Sequence, residues 1–282
     1  MRIFRLTALI ILISLMSITI FAQNSSNTQP ASGVVPDATF SASFAKFTPP
    51  ENVFSPFVAW DAKIGMDTTV FRIRRHEVDF KFELQTIGTR NRNSKINIAG
   101  NSYFIETRYA YAFSKNAKVS FGIRHLSSHE TQDLLKVVKE ERSRGTIIPQ
   151  IDTSDLNIFF VEGFKRFERC PFEPEVRLRI QALGFRFRGG KYVYNKPVYL
   201  MTQITAWHGH EKRLVVGTQN EFGNNGFKEI YSRLELYAKN QREGRLQLLV
   251  SYSPGKGLHV SPNDGWHRDG LNVGIRLVFQ AH

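Results

Sequence analysis

Cysteine is almost missing from this chain: Cys170 is the only one in 282 residues. A lone thiol excludes an intrachain disulfide framework and a thiolate metal cluster. Long apolar runs are nearly as scarce. Leu6 to Phe21 is one, and no second run of about 18 apolar residues follows, which excludes a later helical membrane crossing. No internal repeat and no second linker divides the remainder, so it reads as one domain.

What is present begins with Arg2 and Arg5 ahead of the apolar run, then Ala22 and the polar Gln23-Asn24-Ser25-Ser26-Asn27. This is the order of a secretory signal peptide, with the cut expected after Ala22. The expected organisation is a signal peptide over 1–22, a polar linker over 23–37 and a β-barrel over 38–282. The net charge of +13 in an exported chain points to lipopolysaccharide phosphates and acidic headgroups as partners, not to nucleic acid. Its plainest use is a hydrated lumen lined by arginine.

Val78 to Gln85 alternates apolar with charged or polar residues without a fault, the period of a strand with one wet and one dry face. Leu271 to Phe279, Leu246 to Tyr252 and Ile230 to Lys239 alternate similarly. The pattern predicts strands near 38–47, 56–66, 70–87, 102–113, 118–128, 155–167, 174–188, 197–208, 212–222, 228–239, 245–253 and 270–279. Short joins at 67–69, 114–117, 168–173, 209–211 and 240–244 alternate with generally longer ones at 88–101, 129–154, 189–196, 223–227 and 254–269. That is the arrangement of short periplasmic turns and long outer loops in bacterial barrels. The fold class expected is therefore all-β, an antiparallel transmembrane barrel of twelve strands, or ten if 38–47 is a plug or linker. The close, Asn272-Val273-Gly274-Ile275-Arg276-Leu277-Val278-Phe279, resembles the signal read by the barrel-assembly machinery of the Gram-negative outer membrane.

In 118–128 the apolar set is Val119, Phe121 and Ile123, and His125 and Ser127 share their parity, which turns the pair toward lipid. A hydroxyl needs an adjacent base to become a nucleophile, and residues i and i+2 on one strand face lie about 7 Å apart. A third group must hold the imidazole. Asn157, on the dry parity of the next strand, is the expected orienter.

His125-Leu126-Ser127 with Asn157 resembles the outer membrane phospholipase A family, a twelve-stranded barrel with a His-x-Ser pair on its lipid-facing wall and an Asn on the adjoining strand. Lipid A deacylases carry a similar His-x-Ser with a Glu. The phospholipase pattern continues with Asn-Gly where this chain has Ser128-His129. A closer likeness is to a family of uncharacterised exported proteins with His-x-Ser-Ser-His, here His125 to His129 followed by Asp133. The phospholipase resemblance implies Ca²⁺ as a cofactor and a dimer; the residues themselves specify neither.

Other features have plainer readings. His259-Val260-Ser261 repeats the motif in a predicted outer loop, where nothing rigid aligns it. His208-Gly209-His210 offers two imidazoles without a third ligand. Lys136 to Arg144 reads as a charged loop, while Tyr103, Tyr109, Tyr111, Trp207, Tyr237 and Tyr252 suit interfacial aromatic girdles. Two functional readings stand: a lipid ester hydrolase with His125 as base, Ser127 as nucleophile and Asn157 as orienter, or a non-catalytic barrel serving as a narrow channel or a structural surface protein. In the second, His125, Ser127 and His129 form a polar collar at the interface.

Overall fold

A computed structural model describes residues 37–48, 60–90, 96–131, 154–185, 198–222, 228–237, 244–261 and 265–281. The predicted signal peptide, most of the linker, Asp133 and Lys136 to Arg144 lie outside them. Twelve strands close into one barrel. They are β1 (Asp37–Thr48), β2 (Trp60–Ile73), β3 (His76–Arg90), β4 (Ile96–Ser114), β5 (Ala117–Glu130), β6 (Ser154–Arg166), β7 (Glu175–Phe185), β8 (Val198–His208), β9 (Lys212–Phe222), β10 (Lys228–Tyr237), β11 (Arg245–Ser261) and β12 (Gly265–Ala281). Each pairs antiparallel with its neighbour in sequence, and β1 pairs with β12 to close the wall. Residues 38–47 are thus a barrel strand, and the ten-strand alternative falls away.

The wall is apolar outside and charged inside. Ile64, Phe121, Phe159, Val161, Val273, Ile275 and Phe279 stand exposed on the outer face, whereas Asp79, Gln85, Glu106, Glu162, Arg179 and Glu235 are buried within. A water-soluble barrel has the opposite polarity, so this one requires an apolar surround. The alternation in Val78 to Gln85 follows the same rule, with Asp79 and Gln85 buried in the lumen.

The lumen is packed with ion pairs. Arg124 Nε donates to Glu106 Oε2 at 2.6 Å, and Arg179 reaches the same carboxylate from β7 with bonds of 3.0 and 3.2 Å. Arg179 Nε also donates to Glu162 at 2.7 Å while its guanidinium lies 4.0 Å from the Phe160 ring centroid. Arg108 Nε donates to Asp79 at 2.8 Å. A second cluster centres on Glu235, which accepts from Arg213 at 2.7 Å, Arg233 at 2.6 Å and Gln247 at 3.0 Å. Cα atoms of β12 come within 8 Å of β3 and β4. Three or four strand spacings would separate them by about 14–19 Å in a flat sheet, so parts of these strands approach one another across the inside of the barrel.

Three sequence expectations are corrected. The turn placed at 67–69 lies at Arg74–Arg75, because β2 runs on to Ile73; Arg74 has φ 52°. A bulge between Thr69 and Phe71 puts Val70 and Phe71 both in exposed positions, and this break in the period of two mimics a turn. The 254–269 loop is instead a hairpin, with β11 reaching Ser261 and β12 starting at Gly265 after an irregularity between Ser253 and Leu258. His259-Val260-Ser261 is therefore strand. Tyr237 belongs to no outer girdle: it shares the lumenal parity of Glu235, to which its hydroxyl donates at 2.9 Å. Trp207 and Tyr252 do stand exposed, and Tyr109 packs against Phe121 with centroids 5.1 Å apart.

Candidate active site on the outer wall

β5 carries the motif because its alternation continues without a break from Val119 to His129. Phe121, Ile123, His125, Ser127 and His129 share one parity, and the opposite parity holds the buried Ser120, Arg124, Leu126 and Ser128. The register places His125 opposite Ile105 on β4 and Asn157 on β6. Ser127 lies opposite Tyr103 and Asp155, and His129 opposite Asn101. All of this sits at the barrel end where β5 and β6 are joined through 131–153. The turns Arg74–Arg75 and Asn116 lie at the other end, with the start of β1 and the finish of β12.

His125 Nδ1 is 3.1 Å from Asn157 Oδ1. An amide oxygen can only accept, so this bond keeps the proton on Nδ1 and leaves Nε2 as the lone-pair nitrogen of the neutral ring. Asn157 is the cross-strand neighbour of His125. Ser127 Oγ lies 2.7 Å from Nε2 of His129, a direct partner where the sequence alone gives His129 a place in a polar collar. Its parity was the available signal, since i+2 from Ser127 on a strand must share its face. His129 in turn meets Tyr103 edge-on, with ring centroids 6.2 Å apart and planes at 63°. Exposure is uneven along the row: His125 is half-buried, Ser127 is 9 % exposed and His129 is exposed.

The row is held from behind and from its end. Inside the barrel, Phe104, Leu126, Leu156 and Ile158 form a dry cluster on the lumenal face of the strands that bear the site, and Ser102 and Ser128 bond there at 2.8 Å. Thr131 N donates to Ala99 O at 2.8 Å, which carries the pairing of β4 with β5 past His129. Gly100 permits the close approach, because a Cβ there would lie 2.8 Å from the His129 carbonyl oxygen. Side chains fixed on paired strands over a packed core hold their geometry better than side chains on a loop.

The wall that surrounds the row is apolar. Tyr103, Ile105, Phe121, Phe159 and Val161 are all exposed beside it, a surface suited to acyl chains. Among the described residues no group of three or more His, Cys, Asp or Glu side chains is placed to hold a metal. His208 precedes, and His210 lies within, a turn closed by a 2.8 Å bond from Gly209 N to Lys212 O.

No protein-family model matches the chain, nor does any curated protein. Solved structures do resemble it. An outer membrane channel from Pseudomonas putida F1 matches at TM-score 0.54 and 6 % identity over 91 % of this chain and 100 % of that one. Outer membrane phospholipase A from Escherichia coli matches at 0.52 and 10 % identity over 87 % and 94 %. The Salmonella typhi outer membrane phospholipase, a dimer with bound calcium, matches at 0.51 and 10 % identity over 90 % and 94 %. At such identities the likeness speaks for the fold. With its apolar outer face and ion-paired lumen, the chain folds as an outer-membrane β-barrel whose outer wall meets lipid.

Proposed function

We propose that this barrel hydrolyses lipid esters on its outer wall, with Ser127 as the nucleophile, His125 as its general base and Asn157 as the orienter of His125. The observation that carries this reading is the 3.1 Å bond between His125 Nδ1 and Asn157 Oδ1, made on the lipid-facing side and next to a serine of the same parity. The ring's other nitrogen is then the one that receives a proton from a hydroxyl two residues along the strand. Phospholipids or lipid A reach such a site laterally, with acyl chains along Ile105, Phe121 and Phe159. Acidic headgroups and lipopolysaccharide phosphates suit the cationic chain, and assembly would follow export behind a cleaved signal peptide.

A channel is the competing use of a barrel. The burial of Glu106, Arg124, Glu162 and Arg179 at 1–4 % exposure argues against it, since residues lining a water-filled pore would be wet. The test is fatty-acid release from phospholipid and lipid A in mixed micelles, with and without Ca²⁺. Release that is lost in Ser127→Ala supports the hydrolase, and no release from either lipid under either condition overturns it.

A further inference from the structure

The contact between Ser127 and His129 is not used by the mechanism above, although at 2.7 Å it is shorter than the His125 to Asn157 bond. A serine hydroxyl donates one hydrogen bond and accepts others. If it donates to His125, what it accepts must come from another donor, and Nε2–H of His129 is placed to supply it. We propose that His129 is a second catalytic residue, the general acid that protonates the departing alcohol. This inference rests on the hydrolase reading and adds a division of labour between two imidazoles.

The direction of the lipid gives the reason. Along β5 the order from the membrane interior toward the outer end is Phe121, Ile123, His125, Ser127 and His129. An acyl chain lies inward of its ester carbonyl, beside Phe121 and Phe159, and the glycerol or sugar oxygen lies outward. With the carbonyl carbon at Ser127 Oγ, His125 is on the acyl side and the exposed His129 is on the side of the leaving oxygen. An alkoxide is a poor leaving group and needs a proton as the C–O bond breaks.

The cycle balances. In acylation, Ser127 Oγ bonds to the acyl carbon and its proton passes to His125 Nε2. The acyl C–O bond breaks with its electron pair going to oxygen, and protonated His129 gives its Nε2 proton to that oxygen, releasing the alcohol. In deacylation, water enters where the alcohol left and gives a proton to the now neutral His129. Its oxygen bonds to the acyl carbon, and His125 returns its proton to Ser127 as the fatty acid departs. Both imidazoles finish as they began, and the net change is addition of water to the ester.

Leaving-group dependence separates this role from a structural one. His129→Gln keeps an N–H donor near Ser127 but cannot transfer a proton. Purified full-length protein in detergent micelles is assayed on a medium-chain alkyl ester and on the matching p-nitrophenyl ester, whose phenolate departs without help. Both esters form the same acyl-enzyme, so the first turnover is read. We expect His129→Gln to slow first-turnover release of the alkyl alcohol by about 10²-fold, the low end for general acid–base catalysis, and to leave first-turnover release of nitrophenolate nearly unchanged, while deacylation slows alike for both. Heat-modifiable gel mobility verifies that the variant is folded. Equal losses of first-turnover release from both esters, or no loss from either, overturn the acid role of His129. A Ser127→Ala protein that still cleaves both esters would instead sink the hydrolase reading itself.

Discussion

His125 and Asn157 are direct cross-strand partners on β5 and β6, and their side chains bond at 3.1 Å on the outer face of the wall. This pairing makes the orientation of the imidazole a property of barrel register. Replacing His125 by Ala removes the proposed base and should lower kcat on lipid esters by about 10³–10⁴-fold, toward the upper end for such catalysis. Asn157→Ala only frees the ring to rotate, and a smaller loss of about 10²-fold is expected. Micellar kinetics on the two variants provides the comparison; an Asn157→Ala enzyme as fast as the wild type would mean that the bond orients nothing that matters.

Much of this arrangement was legible in the sequence because a strand's period of two fixes the face of every residue. Once Phe121 was dry, His125, Ser127 and His129 had to be outward, and the antiparallel return fixed Asn157 as the neighbour. Two kinds of information escaped. The bulge at Thr69 to Phe71 inserts one residue into the alternation, so a single strand reads as two with a turn between. The choice of Ser127 between two imidazoles at i−2 and i+2 depends on rotamers, which parity does not determine. Tyr237 was misassigned for a related reason: an aromatic near a strand end suits a girdle, but its lumenal parity, shared with Glu235, sends its hydroxyl to that carboxylate.

The dry face is open to a direct test at mid-strand. Phe82 lies on the outer parity of β3, opposite Met66 and Ile105, and a lysine there would sit in hydrocarbon. Near the midplane that costs about 2–4 kcal/mol, so Phe82→Lys should reduce the heat-modifiable, membrane-integrated fraction. Glu83→Gln on the lumenal parity should integrate normally. Equal integration of the two would reverse the assignment of inside and outside.

Glu106 should be a sensitive lumenal position. It is 1 % exposed and is shared by Arg124 and Arg179, so Glu106→Ala leaves two buried guanidiniums without this carboxylate. Breaking a buried pair in this way destabilises by about 3–5 kcal/mol. Urea unfolding of the barrel in detergent should show a lower midpoint with little change in slope, and the double variant Glu106→Ala/Arg124→Ala should recover part of the loss because the guanidinium paired with Glu106 is gone, while Arg179 keeps Glu162. A midpoint unmoved in Glu106→Ala would show that the cluster carries little net stability.

The same cluster yields the prediction that most directly separates a hydrolase from a channel. Arg179 of β7 reaches Glu106 of β4 over two intervening strands, and Phe104, Leu126, Leu156 and Ile158 form a buried apolar cluster on the lumenal side of β4, β5 and β6 toward the outer end. The low exposure of Arg124 and Glu162 at 4 % each shows that this side of the lumen is packed rather than wet. Wild-type protein reconstituted in planar bilayers should therefore show no resolved conductance steps. Truncating one lumenal layer, with Glu106, Arg124 and Arg179 all changed to Ala, removes carboxylate and both guanidiniums together and so leaves none of the three charges stranded. If this layer is the main constriction, that variant should conduct; if it stays closed, the apolar cluster above it is a second barrier, and Leu126→Ala added to the triple variant should then open it. Large, stable steps from the wild type would contradict the closed lumen and favour a channel, whatever the state of the serine on the outer wall.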